Sequence, residues 1–343
     1  MADGAYRIGI VGAGSLVGKE LADELQESLL AASDFVLMDD EDVTGQVASV
    51  GDEAAFIQRI EKGSFDRMDF VFFAGSAAST KKYFGAARRS GASLVDLSYQ
   101  LEQETGVLLR APLVQSGDVK TAGPNLGTPA VVAAHPAAVM LALVASRIHG
   151  SLPIRSLAAT MVEPASQQGR EAMDELHQQT INLLSFQNLP KEQFDAQVAF
   201  NVLPSLGNGA KMSLFATEEL IRRHYRQIGG GMLPVLDLEL IQAPVFHGYV
   251  ASMLVELEAP STVEELHRAL AGESIDVVAD DSDPPSNLSA AGQEDIMVRV
   301  RSTSAGGTRF WIWLAADNLK LSALNAIACA NELRRLRPQG KVQ

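Results

Sequence analysis

The chain is nearly devoid of cysteine: Cys329 is the single one in 343 residues. One thiol excludes an intrachain disulfide and a cysteine cluster for zinc or iron–sulfur ligation, and no metal is expected. Basic residues are also in short supply, 28 Lys and Arg against 42 Asp and Glu, for a formal net charge of -14. A surface of that sign repels polyanions, so nucleic acid is not an expected partner. Long apolar runs are missing as well. The longest, Val131–Ala145 in "VVAAHPAAVMLALVA", contains His135 and Pro136 and falls short of the ~20 residues that span a bilayer. It is expected to lie in a buried Ala-rich helix reaching Arg147, with no membrane partner. The opening "MADGAYRIGIVGAG" carries neither the basic n-region nor the uninterrupted h-region of a signal peptide, and a cytoplasmic location is the expectation.

What is there is an ordinary globular composition, 47% hydrophobic and 20% charged, with length enough for two domains. Residues 6–100 alternate short β-branched runs with helical patterns, the signature of βαβ units and a parallel sheet. Strands are expected at Tyr6–Val11, Phe35–Met38, Phe70–Phe73 and Ser93–Asp96, and helices at Gly18–Leu30 and Thr80–Ser90. "FVFFAG" is apolar on both faces, as a strand covered on both sides should be. Beyond Pro129 the pattern changes to longer, partly alternating strands at Leu157–Glu163, Val235–Pro244, Tyr249–Leu257 and Ile296–Val300, which suits an antiparallel sheet with one covered face. The turn-rich Ala279–Gln293 is expected to be an exposed loop. A final helix from Ser322 to Leu336 is expected to return to the first domain. The fold class expected is α/β: a Rossmann-type domain over 1–129, completed by 320–343, and a larger α+β domain with a mostly antiparallel sheet over 130–319.

"IGIVGAGSLVGKEL" follows a strand and opens a helix, the context a dinucleotide loop requires. Gly12 would allow the tight turn, Gly14 the approach of a pyrophosphate, and Gly18 close helix packing, with Ser15, Leu16 and Val17 at the helix N-terminus offering unpaired N–H groups. The alternative is a strand–turn–helix that uses glycine for geometry only. At the end of the second strand, "LMDDEDVTG" places Asp39, Asp40, Glu41 and Asp42 where an adenosine ribose would lie. Asp39 could accept the ribose hydroxyls of NAD, whereas an acidic run without Arg or Lys would repel a 2′-phosphate, so NADP is disfavoured. An acidic loop that binds nothing is the other reading.

In order and spacing the chain resembles aspartate-β-semialdehyde dehydrogenases along nearly its whole length. "GIVGAGSLVGKEL" corresponds to the family's G-x-x-G-x-V-G loop, "DFVFFAGSAASTKKY" to its third strand and following helix, "LVDLSYQ" to V-I-D-x-S and "GPNLGT" to N-P-N-C-x-T. "FNVLP", "APVFHGY" and "AADNLKLSALNAIACANEL" match later segments. The resemblance implies a nicotinamide cofactor, a contribution of Asn318 to its site, a dimer built by the second domain, and a reaction through a cysteine thioester. That chemistry needs a nucleophile, a base and cations for carboxylate and phosphate.

The family's cysteine falls on Leu126, which has no ionisable proton, and its histidine on Tyr249, a poor base at neutral pH. Its carboxylate-binding arginine falls on Gln242 and its phosphate-binding arginine on Glu102, while the family's glutamine falls on Glu163, which would add negative charge. A further cation position falls near Leu214. Leu126 is expected to fill with apolar packing the space of a thiolate, His247 to be a surface or packing residue, and Cys329 a small buried hydrophobe. The pattern is similar to the family's non-catalytic usg branch. It implies a homodimer without semialdehyde dehydrogenase activity and with NAD, or no nucleotide, bound. Two other readings stand beside it: an NAD-linked oxidoreductase of a different, non-phosphorylated substrate, using Glu163, Tyr249 or His247 as acid and base, and a partner that associates with an active paralogue.

Overall fold

The computed structural model describes residues 6–30, 34–40, 47–50, 53–115 and 122–336. Glu41 and Asp42 of the acidic run lie outside them. The chain divides into two compact units, one made of residues up to Leu113, Thr121–Ala134 and the chain from Ser322 on, the other of Val114–Lys120 and His135–Leu321.

In the first unit β1 (Arg7–Val11), β2 (Asp34–Asp39), a small hairpin of β3 (Val47–Val50) and β4 (Glu53–Phe56), β5 (Gln58–Arg59), β6 (Phe70–Phe73), β7 (Ser93–Asp96), β8 (Leu108–Arg110) and β9 (Val131–Ala133) alternate with helices α1 (Leu16–Glu27) and α2 (Ala77–Arg89); the short α3 (Pro112–Gln115) follows β8. Seven strands form one sheet in the order β5-β2-β1-β6-β7-β9-β8, parallel at every pairing. The order reverses between β1 and β6, the topological switch point where open α/β sheets bind ligands. β6 is buried at all four positions, as its sequence requires. One side packs Ile8, Ile10 and Phe72 against Leu21 and Leu25 of α1 and against Ala326 and Ala330 of the closing helix. The other packs Val71 and Phe73 with Ala87 and Tyr83 of α2. The C-terminal helix thus packs within this unit.

Val131–Ala133 is not helix but strand β9, paired with β7 and β8, and the boundary between the units falls after Ala134 rather than Pro129. Its β-branched residues complete the sheet, and the helix begins only where His135 caps it and Pro136 occupies its first turn.

The second unit contains α4 (Pro136–His149), β10 (Ile154–Glu163), α5 (Arg170–Leu184), α6 (Leu214–Ile228), β11 (Leu236–Gln242), β12 (Tyr249–Leu257), α7 (Val263–Leu270), β13 (Ile275–Val277), β14 (Ile296–Ser302), β15 (Arg309–Ala316) and the first turn of α8 (Asn318–Leu336). Its sheet runs β11-β10-β12-β15-β14-β13. The pairs β10–β12, β12–β15 and β14–β15 are antiparallel, while β10–β11 and β13–β14 are parallel. Alternation leaves one face buried, with Leu157, Ala159, Met161 and Leu240, and the other partly open. The edge strand β11 is not left bare: Arg222 of α6 donates to the Leu238 carbonyl at 2.8 Å, and Glu218 accepts from the Leu240 N–H at 2.9 Å. Such cover is how soluble proteins blunt a sheet edge. Among the described residues, no helix is long and apolar enough to cross a membrane.

Candidate functional site

The glycine loop is built around two close approaches. Gly12 has φ +83°, and a Cβ there would meet the backbone of Gly75 at 2.2 Å; a Cβ on Gly18 would sit 2.2 Å from the Gly12 carbonyl oxygen. Neither position admits a side chain. Ser15 caps α1, its Oγ accepting from the Gly18 N–H at 2.9 Å and donating to the Ala74 carbonyl at 2.8 Å. Leu16 and Val17 open the helix, so their amides have no intrahelical acceptor. Those are the donors a pyrophosphate would use, and the loop fits such a group. The Gly14 N–H points elsewhere, donating to Asp39 Oδ2 at 2.8 Å, while Asp39 Oδ1 accepts from the Asp40 N–H at 2.9 Å.

The surroundings of Asp40 alter the reading of the acidic run. Lys82 Nζ lies 2.8 Å and Tyr83 Oη 2.7 Å from Asp40 Oδ1, and the Lys82 hydrogen bond is the main reason that the carboxyl is held below its usual range. Arg59, Lys62 and Lys82 line a shallow pocket of about 390 Å³ beside Asp40. The premise that no cation adjoins the run thus fails, because β5 and α2 supply cations from 19 to 42 residues away in sequence. No local pattern around Asp39 signalled them.

In the second unit three of the substituted family positions come together. Glu163 and Gln242 are register partners at the ends of β10 and β11. β10 and β12 pair as far as Val162 opposite Val250, so Tyr249 is the next neighbour on the other side. All three are buried and lie on the covered face. Gln242 Nε2 donates to the Glu163 carbonyl at 3.0 Å and to the Ala243 carbonyl at 3.1 Å, and its Oε1 accepts from Gln168 Nε2 at 2.8 Å. Burial pushes the Glu163 carboxyl up to about 8, and its Oε2 has no hydrogen-bond partner. The expected extra negative charge is therefore absent at neutral pH: desolvation keeps this acid protonated. The ring of Tyr249 lies 6.3 Å from that of His135. His135 is pushed down to about 3 by burial and then by His224, and its backbone N–H donates to His224 Nδ1 at 2.9 Å.

Asn318 is buried and its amide is employed in this unit. Its Oδ1 accepts from Ser166 Oγ at 3.1 Å and from the Gly248 N–H at 3.0 Å, and its Nδ2 donates to Gln167 Oε1 at 3.1 Å. These bonds tie the turn before Tyr249 to the turn after Glu163. Gly248 takes φ +83°, which breaks the extended backbone that His247 would need to share a face with Tyr249. Leu214 is the buried first residue of α6, behind the cap Ser213.

Leu126 and Glu102 belong to the first unit. Leu126 stands at the tip of a turn closed by its neighbours: the Thr128 N–H donates to the Asn125 carbonyl at 2.9 Å, the Asn125 N–H to Thr128 Oγ1 at 3.0 Å, and the Gly127 N–H to Asn125 Oδ1 at 2.8 Å. The leucine is 83% exposed. It does not fill a vacated thiolate space, because the turn holds its side chain outward. Glu102 is half-buried in the turn after β7, near the buried Asp96, whose carboxylate accepts from the Ser98 and Leu101 N–H groups at 2.8 and 2.9 Å. Cys329 is fully buried and its thiol is pushed up by burial, which makes it inert as a nucleophile. Among the described residues no cluster of His, Cys, Asp and Glu could hold a metal.

Comparisons with known proteins agree along the chain. Residues 7–122 match the semialdehyde dehydrogenase NAD binding domain, and residues 147–321 the semialdehyde dehydrogenase dimerisation domain. A USG-1 protein homolog of Azotobacter vinelandii is 30% identical, covering 96% of this chain and 98% of that one. Another of Pseudomonas aeruginosa is 29% identical over 93% and 95%. An aspartate-semialdehyde dehydrogenase of Rickettsia bellii is 24% identical over 96% and 97%. The solved structure of a probable aspartate-semialdehyde dehydrogenase from Pseudomonas aeruginosa superposes with a TM-score of 0.86 at 26% identity, covering 97% of this chain and 99% of that one. With a nucleotide-type loop in one unit, a mixed sheet in the other and both domains matched, the chain belongs to the aspartate-semialdehyde dehydrogenase family as a usg-like homologue.

Proposed function

We propose that this protein keeps the family's scaffold, its nucleotide loop and its pairing into homodimers, but does not carry out the semialdehyde dehydrogenase reaction. One observation carries the reading: the nucleophile position is the exposed Leu126, while the chain's single thiol, Cys329, is buried and held protonated. A thioester needs a thiolate that substrate can reach. The remaining losses point the same way. Gln242 is a neutral amide engaged with backbone and Gln168, Glu163 is a protonated acid, and Glu102 has the wrong sign for a phosphate.

A dinucleotide would be held by the amides of Leu16 and Val17, with Gly12 and Gly18 keeping the loop tight and Asp39 facing the ribose. Bound there it would supply hydride transfer. The test is turnover of aspartate semialdehyde with phosphate and NAD or NADP, by protein purified from a host deleted for its own enzyme, with mass spectrometry for an acylated chain. No reduced nicotinamide and no acyl adduct are expected; either one would refute the reading.

A second reading rests on Glu163, whose unpartnered Oε2 gives the site a protonated acid beside a phenol and an amide. Those groups suit an NAD-linked reaction of an uncharged aldehyde or alcohol. Activity on a panel of such compounds, lost in Glu163→Gln, would favour it over the first.

A further inference from the structure

Of the chain's asparagines only Asn208 is followed by glycine; the others precede Leu, Val, Ala or Glu. Asn208 and Gly209 are exposed in the segment that leads into α6. The glycines on either side of Asn208 wrap Asp195. A Cβ on Gly207 would sit 2.3 Å from the Asp195 backbone oxygen and 2.3 Å from its Oδ2, so nothing larger fits there. The Gly209 N–H donates to Asp195 Oδ2 at 2.9 Å. Asp195 itself takes φ +47°, in the left-handed region that Asp tolerates better than most side chains. Backbone bonds hold the rest of the segment: the Gly207 N–H donates to the Phe194 carbonyl at 3.3 Å, the Ala210 N–H to the Gly207 carbonyl at 3.1 Å and the Lys211 N–H to the Gln193 carbonyl at 2.8 Å.

The geometry points to Asn208 as a site of spontaneous covalent modification, and to Asp195 as the group that restrains it. The Gly209 backbone nitrogen attacks Asn208 Cγ, and the new N–Cγ bond closes a five-membered imide. The side-chain nitrogen leaves as ammonia, taking the proton that the backbone nitrogen gives up. Water then adds to one of the two imide carbonyls, and nothing is oxidised or reduced. Opening at Cγ gives aspartate; opening at the main-chain carbonyl gives isoaspartate, in which the chain runs through the side chain. Glycine at 209 favours closure because no Cβ crowds the attack. The peptide unit is planar, so the new bond takes the direction of the departing N–H. In the folded chain that direction belongs to Asp195 Oδ2. The hydrogen bond must therefore open before the ring can close, and the reaction waits on local opening of the segment. Isoaspartate would add one carbon to the main chain between Leu203, paired with Gln242 through bonds of 2.8 and 2.9 Å, and Ser213, which caps α6. The bonds of Gly207, Ala210 and Lys211 could not all survive that insertion. Conversion would thus slacken the support of the helix that covers the β11 edge, and add a negative charge to the segment.

The test follows Asn208 in the full chain and in a synthetic peptide of residues 203–213, both kept in the same mildly alkaline buffer. Peptide mapping by mass spectrometry reads total conversion, and labelling by an isoaspartate methyltransferase separates the two products. The folded chain should convert at least about tenfold more slowly than the peptide. Asp195→Gly, which suits the positive φ, should speed conversion roughly threefold to tenfold, the worth of one hydrogen bond. Asp195→Asn keeps an acceptor and should stay near the unaltered rate. Limited proteolysis between residues 190 and 199 should be the same in all three chains, which separates loss of this bond from general loosening. A folded chain that converts as fast as the peptide would overturn the restraint by Asp195. So would an Asp195→Gly rate no higher than the unaltered one, equal acceleration in Asp195→Asn, or faster cleavage in Asp195→Gly. No conversion at Asn208 in any of the chains would overturn the site itself.

Discussion

Gln242 Nε2 and the backbone carbonyl of Glu163 are 3.0 Å apart, joining the ends of two parallel strands through a side chain. Both N–H donors of the amide are taken, by Glu163 and Ala243, and its oxygen accepts from Gln168, so it works as a strut of the sheet. A group committed to three partners inside the fold has little left to offer a carboxylate ligand.

Glu163 gives the fold a defined pH response. Its carboxyl is raised from 4.5 to about 8 by burial, so the native state holds a proton that the unfolded chain releases. The stability this proton confers is complete below pH 4.5 and is lost progressively as pH rises to about 8. The total is on the order of 3–5 kcal/mol. Urea midpoints measured from pH 5 to 9 should fall across that window, and Glu163→Gln should flatten the fall. An unchanged slope in the variant would mean that Glu163 is ionised in the fold.

Leu126→Cys should create a thiol that reacts with a maleimide or a disulfide reagent within seconds to minutes, while native Cys329 resists until the chain unfolds. Stability should change by no more than about 0.5 kcal/mol, since the position is exposed. Semialdehyde turnover should stay absent, because base and anion clamps are still missing. Turnover in this single variant would show that the remaining groups suffice.

Gln179 of α5 splints the segment that follows its helix. Its Oε1 accepts from the Val198 and Ala199 N–H groups at 2.8 and 3.2 Å, and its Nε2 donates to the Pro190 and Ala196 carbonyls at 2.8 and 2.9 Å. Gln179→Ala strands buried backbone groups at about 1–3 kcal/mol each. A loss of about 3 kcal/mol or more in denaturant unfolding, with new proteolytic cleavage between residues 190 and 199, is the expected result.

Either nucleotide at about 100 times its dissociation constant should add roughly 2.7 kcal/mol to stability if the glycine loop binds it. Lys82→Ala leaves Asp40 without its closest cation, so the thermal shift with NADP should shrink more than that with NAD. Equal shrinkage would place the 2′-phosphate away from this pocket.

The fold was readable because its signals are local and repeated. β6 is apolar at every position, Gly12 and Gly18 punctuate the first turn, and β12 spans the same residues, Tyr249–Leu257, that its alternation indicated. Val131–Ala133 reads as helix in the sequence because three apolar residues beside an Ala-rich run carry no period of their own, and only pairing with β7 and β8 decides them. The identities at the site were legible by comparison with the family motif, but their states were not. Nothing in "VEPASQQG" announces that Glu163 is buried and neutral. Nothing in "LMDDEDVTG" announces Lys82, and the direction in which Leu126 points follows from hydrogen bonds that a motif does not encode.

The turn that carries Leu126 closes entirely through the side chains of Asn125 and Thr128 and the backbone between them. Residue 126 contributes nothing to its closure, so selection for a folded protein is blind to what stands there. Only demand for the reaction could retain a cysteine at that tip. Were that demand to lapse, one replacement could silence such an enzyme without any compensating change elsewhere, leaving a lineage free to keep the molecule for its other surfaces.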